Sequence, residues 1–162
     1  MQRIRRKGKR LITPLQLIII TLAIFSFMLF YYNVIWSTDG HQAKKSVIEF
    51  FELEQGGNFG SSWELFHSSM HDKFSKEAYI QKRAQVFMQQ LGATTFEFEI
   101  NKVKNIGTWG MSATSPALSD VQQIHVTQHM LTVFGELELD QEIFVVEENG
   151  EWKLLWSYHE DT

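Results

Sequence analysis

Val146-Glu147-Glu148-Asn149-Gly150-Glu151-Trp152-Lys153-Leu154-Leu155-Trp156 is the stretch on which the reading of this 162-residue chain turns. Asn149 and Gly150 both tolerate positive φ, so the pair suits a two-residue type I′ turn between antiparallel strands. Such a turn sets register. Val145 then faces Leu154, Ile143 faces Trp156, Phe144 faces Leu155 and Val146 faces Lys153. Side chains alternate along a strand, so Trp152, Leu154 and Trp156 share one face with Ile143 and Val145. Phe144, Val146 and Leu155 share the other.

The same period of two appears further upstream. Phe96, Phe98 and Ile100 alternate with Glu97, Glu99 and Asn101, the pattern of a half-buried strand. A second strand is predicted over residues 123–133, a third from a bend at Gly135 to Glu148, and a fourth over 151–158. Residues 107–120, with their Gly, Ser, Thr and Pro116, read as an irregular connection.

Before Gly92 the spacing is helical. Val47, Phe50, Phe51 and Glu54 form one stripe of a helix starting near Ala43 and ending at Gly56-Gly57. Ser61-Ser62-Trp63-Glu64 has the form of a capping box opening a second helix that buries Trp63, Phe66 and Met70. Ser75 caps a third, in which Ile80, Ala84, Phe87 and Leu91 recur at helical spacing. The pattern predicts an α+β fold: three helices packed on a curved four-stranded antiparallel sheet, with the Trp152/Leu154/Trp156 face toward the helices.

Charge divides the chain. Arg3, Arg5, Arg6, Lys7, Lys9 and Arg10 are six of its 15 basic residues, and all 19 acidic residues lie at Asp39 or later. Residues 11–38 contain no Lys, Arg, His, Asp or Glu. At ~1.5 Å per residue, about 20 apolar residues cross a ~30 Å hydrocarbon core. The reading is therefore a cytoplasmic basic tail (1–10), a transmembrane helix (11–36), a hinge (37–42) and an extracytoplasmic domain (43–162). The basic residues stay inside and the lipid bilayer is the first partner. A cleaved signal peptide would need a shorter apolar run and a small-residue cleavage site. With no cysteine, disulfides, thiolate metal sites and lipid-modified cysteines are excluded. From residue 37 onward, 9 basic and 19 acidic residues give a formal charge of −10. That sign excludes a nucleic-acid surface.

The chain resembles the nuclear-transport-factor-2-like cone fold. More narrowly, it resembles the small domain that precedes the transpeptidase in certain class B penicillin-binding proteins. The likeness rests on Ile48-Glu49-Phe50-Phe51 before Gly57-Asn58-Phe59, on Phe74-Ser75-Lys76-Glu77-Ala78-Tyr79-Ile80 leading to Met88-Gln89-Gln90-Leu91-Gly92, and on the closing hairpin. It implies a cone-shaped α+β domain in a cell-envelope setting. The S-x-x-K and K-T-G motifs of transpeptidase chemistry do not occur in this sequence, so that activity is not implied.

Candidate residues follow from both lines. In the cone fold, Tyr79, Trp109 and Trp156 would line the mouth of a cavity, and His125 and His129 on the second strand could face it. Four residues apart on a strand is ~13 Å, so that pair does not share one ion. His67 and His71, four apart on a helix, have metal-ligand spacing but lack an evident third ligand. Glu136, Glu138, Asp140 and Glu142 alternate with Leu137 and Leu139, as on a solvated strand face. Phe144, Val146 and Leu155 form an apolar second sheet face suited to association with a second copy or another envelope protein, unless the chain's own 107–120 loop covers it. Without a catalytic motif or cofactor signature, the expectation is a non-catalytic, membrane-tethered binding or assembly module. The alternative is a sensory or enzymatic small-molecule pocket.

Overall fold

Asn149 (φ 54°) and Gly150 (φ 85°) turn the last hairpin in a computed structural model of the chain, which describes residues 13–36 and 38–157. The six basic residues of the tail lie outside the described residues, as does Tyr158. The chain forms two units, 1–37 and 38–162.

The first unit contains α1 (Pro14–Trp36), an apolar helix of 23 residues. Thr13 caps it: its hydroxyl accepts from the Gln16 amide at 3.3 Å, and the Gln16 side chain accepts from the Thr13 amide at 3.0 Å. Pro14 occupies the first turn, where a missing N–H is harmless. The stretch Pro14–Tyr31 is long and apolar enough to cross a membrane, and none of it is buried.

The second unit is α+β. Among its described residues, four α-helices and a π-helical turn precede one antiparallel sheet in the order β1 (Glu97–Trp109), β2 (Leu118–Thr132), β3 (Gly135–Glu148) and β4 (Glu151–Leu155). The register at the turn is the expected one, with Val145 opposite Leu154, Phe144 opposite Leu155 and Val146 opposite Lys153. β1 and β2 reach well into residues 107–120. Irregularities after Ile100, Asn105 and Gly107 let β1 continue to Trp109, with Gly107 at φ 72°. The irregular connection is therefore only residues 110–117.

Helix α2 (Asp39–Gln55) starts inside the predicted hinge, where Asp39 complements the helix dipole. Its buried stripe is Ala43, Val47, Phe50, Phe51 and Glu54. The expected second helix is broken into α3 (Phe59–Glu64) and α4 (Ser68–His71). Asn58 caps α3 by accepting from the Ser61 amide, and Glu64 leaves the predicted capping box to bind the Lys76 ammonium at 2.5 Å. The break has a tertiary cause. The His67 amide donates to the Leu154 carbonyl at 3.0 Å and the Leu154 amide donates to the Leu65 carbonyl at 2.9 Å. Residues 65–67 are thus drawn into an extended bridge with β4, which carries Phe66 into the core.

Ser75 caps α5 (Lys76–Ala84), which continues as a π-helical turn, Gln85–Gln90. Tyr79 and Phe87 are buried on this segment, whereas Ile80, expected inside, is 37% exposed. Aromatic rings knit the layers together. Phe66 meets Phe50 at 5.2 Å, Tyr79 at 5.2 Å and Trp156 at 4.8 Å, and Phe51 stacks on Phe98 at 5.3 Å. At the far end, Gly92 (φ 64°) lies under the tip of the β2–β3 hairpin, and a Cβ there would come within 2.5 Å of Val133 Cγ1.

Candidate functional site

An ion pair with a fully buried acidic partner is built from the helices, joining Glu54 to Arg83. Glu54, on the buried stripe of α2, has a completely inaccessible side chain. Tyr79 donates its hydroxyl to Glu54 Oε1 at 2.8 Å, Arg83 Nε donates to Oε2 at 2.5 Å, and Ser62 donates its hydroxyl to Oε1. The Arg83 guanidinium also lies 4.2 Å above the Phe87 ring. Burial, reinforced by the Glu54 charge, pushes the Tyr79 phenol far up, so it stays a donor. Every bond of this carboxylate is spent inside the protein. The adjoining cleft, between Phe59, Phe87, Ala93 and Phe96, holds only about 10 Å³.

The five residues expected around a cone mouth are not brought together. Tyr79 and Trp156 meet across Phe66 in the core. Trp109 stacks on Phe144 at 4.0 Å, on the opposite side of the sheet from Val145 and Leu154. His125 and His129 alternate with the inward-facing Ile124, Val126 and Gln128, and so project from that outer face. His125 lies 3.0 Å from Glu142 and 3.2 Å from Asp140, and His129 lies 3.5 Å from Glu138.

The apolar second face is also not free. Phe144 and Val146 are 6% and 7% exposed, and Leu155 is fully buried. Trp109, at the end of β1, covers Phe144, and Met111 in the following connection joins the same core. The chain's own segment thus fills the surface that the sequence reading left between self-association and self-cover.

His67 and His71 have local structural roles. His67 Nδ1 accepts from the Ser69 amide at 3.1 Å, capping α4. His71 stacks on Trp63 at 3.8 Å. Glu148 anchors the hairpin to α4, accepting from the Ser68 hydroxyl at 2.6 Å and the Ser68 amide at 3.1 Å. Partial burial works against its charged form, yet these two bonds hold the carboxyl below its usual range.

Accessible groups line the outer sheet face and β3, and Val86 and Met88 are exposed on the π-helical turn. Asn101 donates to Thr127 Oγ1 at 2.8 Å and Thr127 donates to Asp140 at 2.6 Å, so three strands share one polar network. Glu136, Glu138, Asp140 and Glu142 stand in a row on that face. Leu137 and Leu139, on the other face of β3, are 38% and 42% exposed. At the hairpin tip Leu131, Val133 and Phe134 are 72%, 70% and 84% exposed. An open cleft of about 1030 Å³ lies beside the tip, between Gln55, Phe96, Met130 and Leu137. No protein-family model matches the chain, and no curated protein matches it.

Gln128, on β2, carries no signal in the sequence pattern. It is fully buried, and among the described residues neither its amide nitrogen nor its oxygen has a hydrogen-bond partner. An unpaired buried amide costs about 1–3 kcal/mol. Gln128→Met, of similar volume, is therefore expected to raise the unfolding free energy by about 1 kcal/mol, read as a higher urea midpoint. A loss of that size would mean that the amide is satisfied in solution.

Proposed function

We propose that this protein is a non-catalytic, membrane-tethered module that works outside the cytoplasmic membrane as a binding or assembly unit of the cell envelope. In this reading the nuclear-transport-factor-2-like scaffold serves as a solid body that presents surfaces rather than as a container. The observation that carries it is the filled interior. A single water needs roughly 10–15 Å³, and the cleft beside the buried carboxylate offers about 10 Å³. The polar groups a ligand would use there already bind one another. Accessible instead are the acidic row with Leu137 and Leu139 on β3, and Leu131, Val133 and Phe134 on the β2–β3 hairpin.

The tether is α1. Its apolar residues are uninterrupted by charge, and the six Lys and Arg residues before it favour a cytoplasmic N-terminus. Alkaline phosphatase, which is active only outside the cytoplasm, is expected to be active when fused after Thr162. A green fluorescent protein at the same point is expected to be dark. A fluorescent fusion, or a mature chain beginning after Trp36, would overturn the topology. Thermal-shift screening of the full-length chain in neutral detergent against a metabolite library is expected to yield no saturable stabilisation. A hit abolished by Tyr79→Phe would instead support the small-molecule pocket.

A further inference from the structure

β4 is short. It pairs with β3 only from Phe144 to Glu148, whereas β3 begins at Gly135. Over residues 135–143, β3 is thus paired with β2 on one side and, among the described residues, with no strand on the other. Both flanking turns agree on which backbone groups this leaves unpaired. Glu148 opposite Glu151 closes one hairpin and Thr132 opposite Gly135 closes the other. By alternation, odd-numbered residues of β3 bond to β2, while Glu136, Glu138, Asp140 and Glu142 turn their N–H and C=O groups outward. An edge of four outward backbone positions is a template for one more strand.

The side chains say what that strand must be. Glu136, Glu138, Asp140 and Glu142 project from one face, joined there on β1 by Glu97 and Glu99, which pair across β2 with His129 and Thr127. Of the lysines on that face, Lys102 and Lys104 lie on β1, two strands away from the edge, and Lys153 on β4, opposite Val146, is already bound to Glu151 and to the Glu64 carbonyl. Thr127, His125 and His129 hold Asp140, Glu142 and Glu138 in place, so little side-chain freedom remains to be lost on binding. On the opposite face the half-exposed Leu137 and Leu139 call for apolar neighbours.

Resting on the reading of the protein as a binding module, we propose that the β3 edge takes up an extended segment of a partner protein in which basic and apolar residues alternate. Its backbone pairs with Glu136–Glu142, its Lys or Arg side chains meet the acidic row, and its apolar side chains cover Leu137 and Leu139. Charge separates this occupant from a second copy of the chain, which in antiparallel pairing centred on Leu139 would set Glu138 against Asp140 and Glu136 against Glu142, and like charges directly opposite are destabilising. The chain's own continuation in the β4 register would set Asp161 against Glu138, a like-charge pair, but His159 against Asp140, so cutting the chain after Ser157 is the test of that occupant. The acidic row also repels indiscriminate strand pairing, so one feature serves exclusion and selection together.

The probe is a nine-residue peptide of alternating Lys and Val, titrated by fluorescence anisotropy into the full-length chain in neutral detergent micelles. Saturable binding is expected, weakening at least tenfold from 50 mM to 500 mM salt. Comparable losses are expected with Glu138→Lys/Asp140→Lys, and when alternate peptide nitrogens are methylated to remove their donors. Four outcomes would each overturn the proposal: no binding; equal binding of the methylated peptide; equal binding of a peptide with its five Lys and four Val in separate blocks; or binding only after the chain is cut following Ser157. The last would assign the edge to the protein's own C-terminal residues. None of these outcomes touches the fusion reporter or the metabolite screen, so failure of the edge and failure of the tethered-module reading are separately visible.

Discussion

Replacing Arg83 with methionine is expected to destabilise the α+β unit by about 3–5 kcal/mol, the usual cost of stranding one partner of a buried ion pair. Glu54 has no solvent access, and Arg83 is its only cationic partner among the described residues. Without the guanidinium, Tyr79 and Ser62 still donate to the carboxylate, but neither carries charge to offset its desolvation. For a domain of this size the melting temperature should fall by roughly 10–25 °C. Removing both charges changes the outcome, because two apolar side chains of similar volume leave no uncompensated ion. The pair Glu54→Met/Arg83→Met is therefore expected to regain most of the loss, although Tyr79 and Ser62 then need new partners. Urea unfolding of the full-length chain in detergent, followed by tryptophan fluorescence, measures both variants. A single-variant loss under 1 kcal/mol would show that Glu54 is solvated or neutral in the folded state.

Leu155→Glu is the second large effect. Leu155 has no solvent exposure and pairs with Phe144, itself covered by Trp109. A carboxylate there has no partner, so a loss above 4 kcal/mol is expected and the hairpin should fail to close. Were the same residues an exposed association face, the substitution would leave the melting curve unchanged and alter only the oligomeric state. Circular dichroism melts together with sedimentation velocity separate the two results. A folded Leu155→Glu protein with altered association would return Phe144, Val146 and Leu155 to the role that sequence patterning suggested.

Some of this architecture is legible in single residues. Asn149 and Gly150 are the pair that positive φ favours, so the closing hairpin and its register follow from two positions. The stripe Val47, Phe50, Phe51 and Glu54 is buried as its spacing predicts, including its acidic member. The alternation of Phe96, Phe98 and Ile100 marks β1. Other elements depend on residues remote in sequence. The break at Phe66 arises because Leu65 and His67 bond to Leu154, nearly 90 positions away. Ile80 is displaced from the core because Glu54 draws Tyr79 and Arg83 inward, and helical periodicity counts apolar residues but is blind to an interior carboxylate.

Local chemistry is enough to specify an uncharged span behind a basic tail, a shift from helical to strand periodicity near Gly92, and a turn suited to a pair such as Asn149-Gly150. Which faces are covered and which stay open depends on long-range packing. Trp109 closes the apolar second face, Arg83 neutralises the buried carboxylate, and the shortness of β4 leaves β3 half unpaired. The reason is physical. Backbone propensity acts over a few residues, whereas burial and unpaired hydrogen-bonding groups are settled by whichever distant segments arrive beside them.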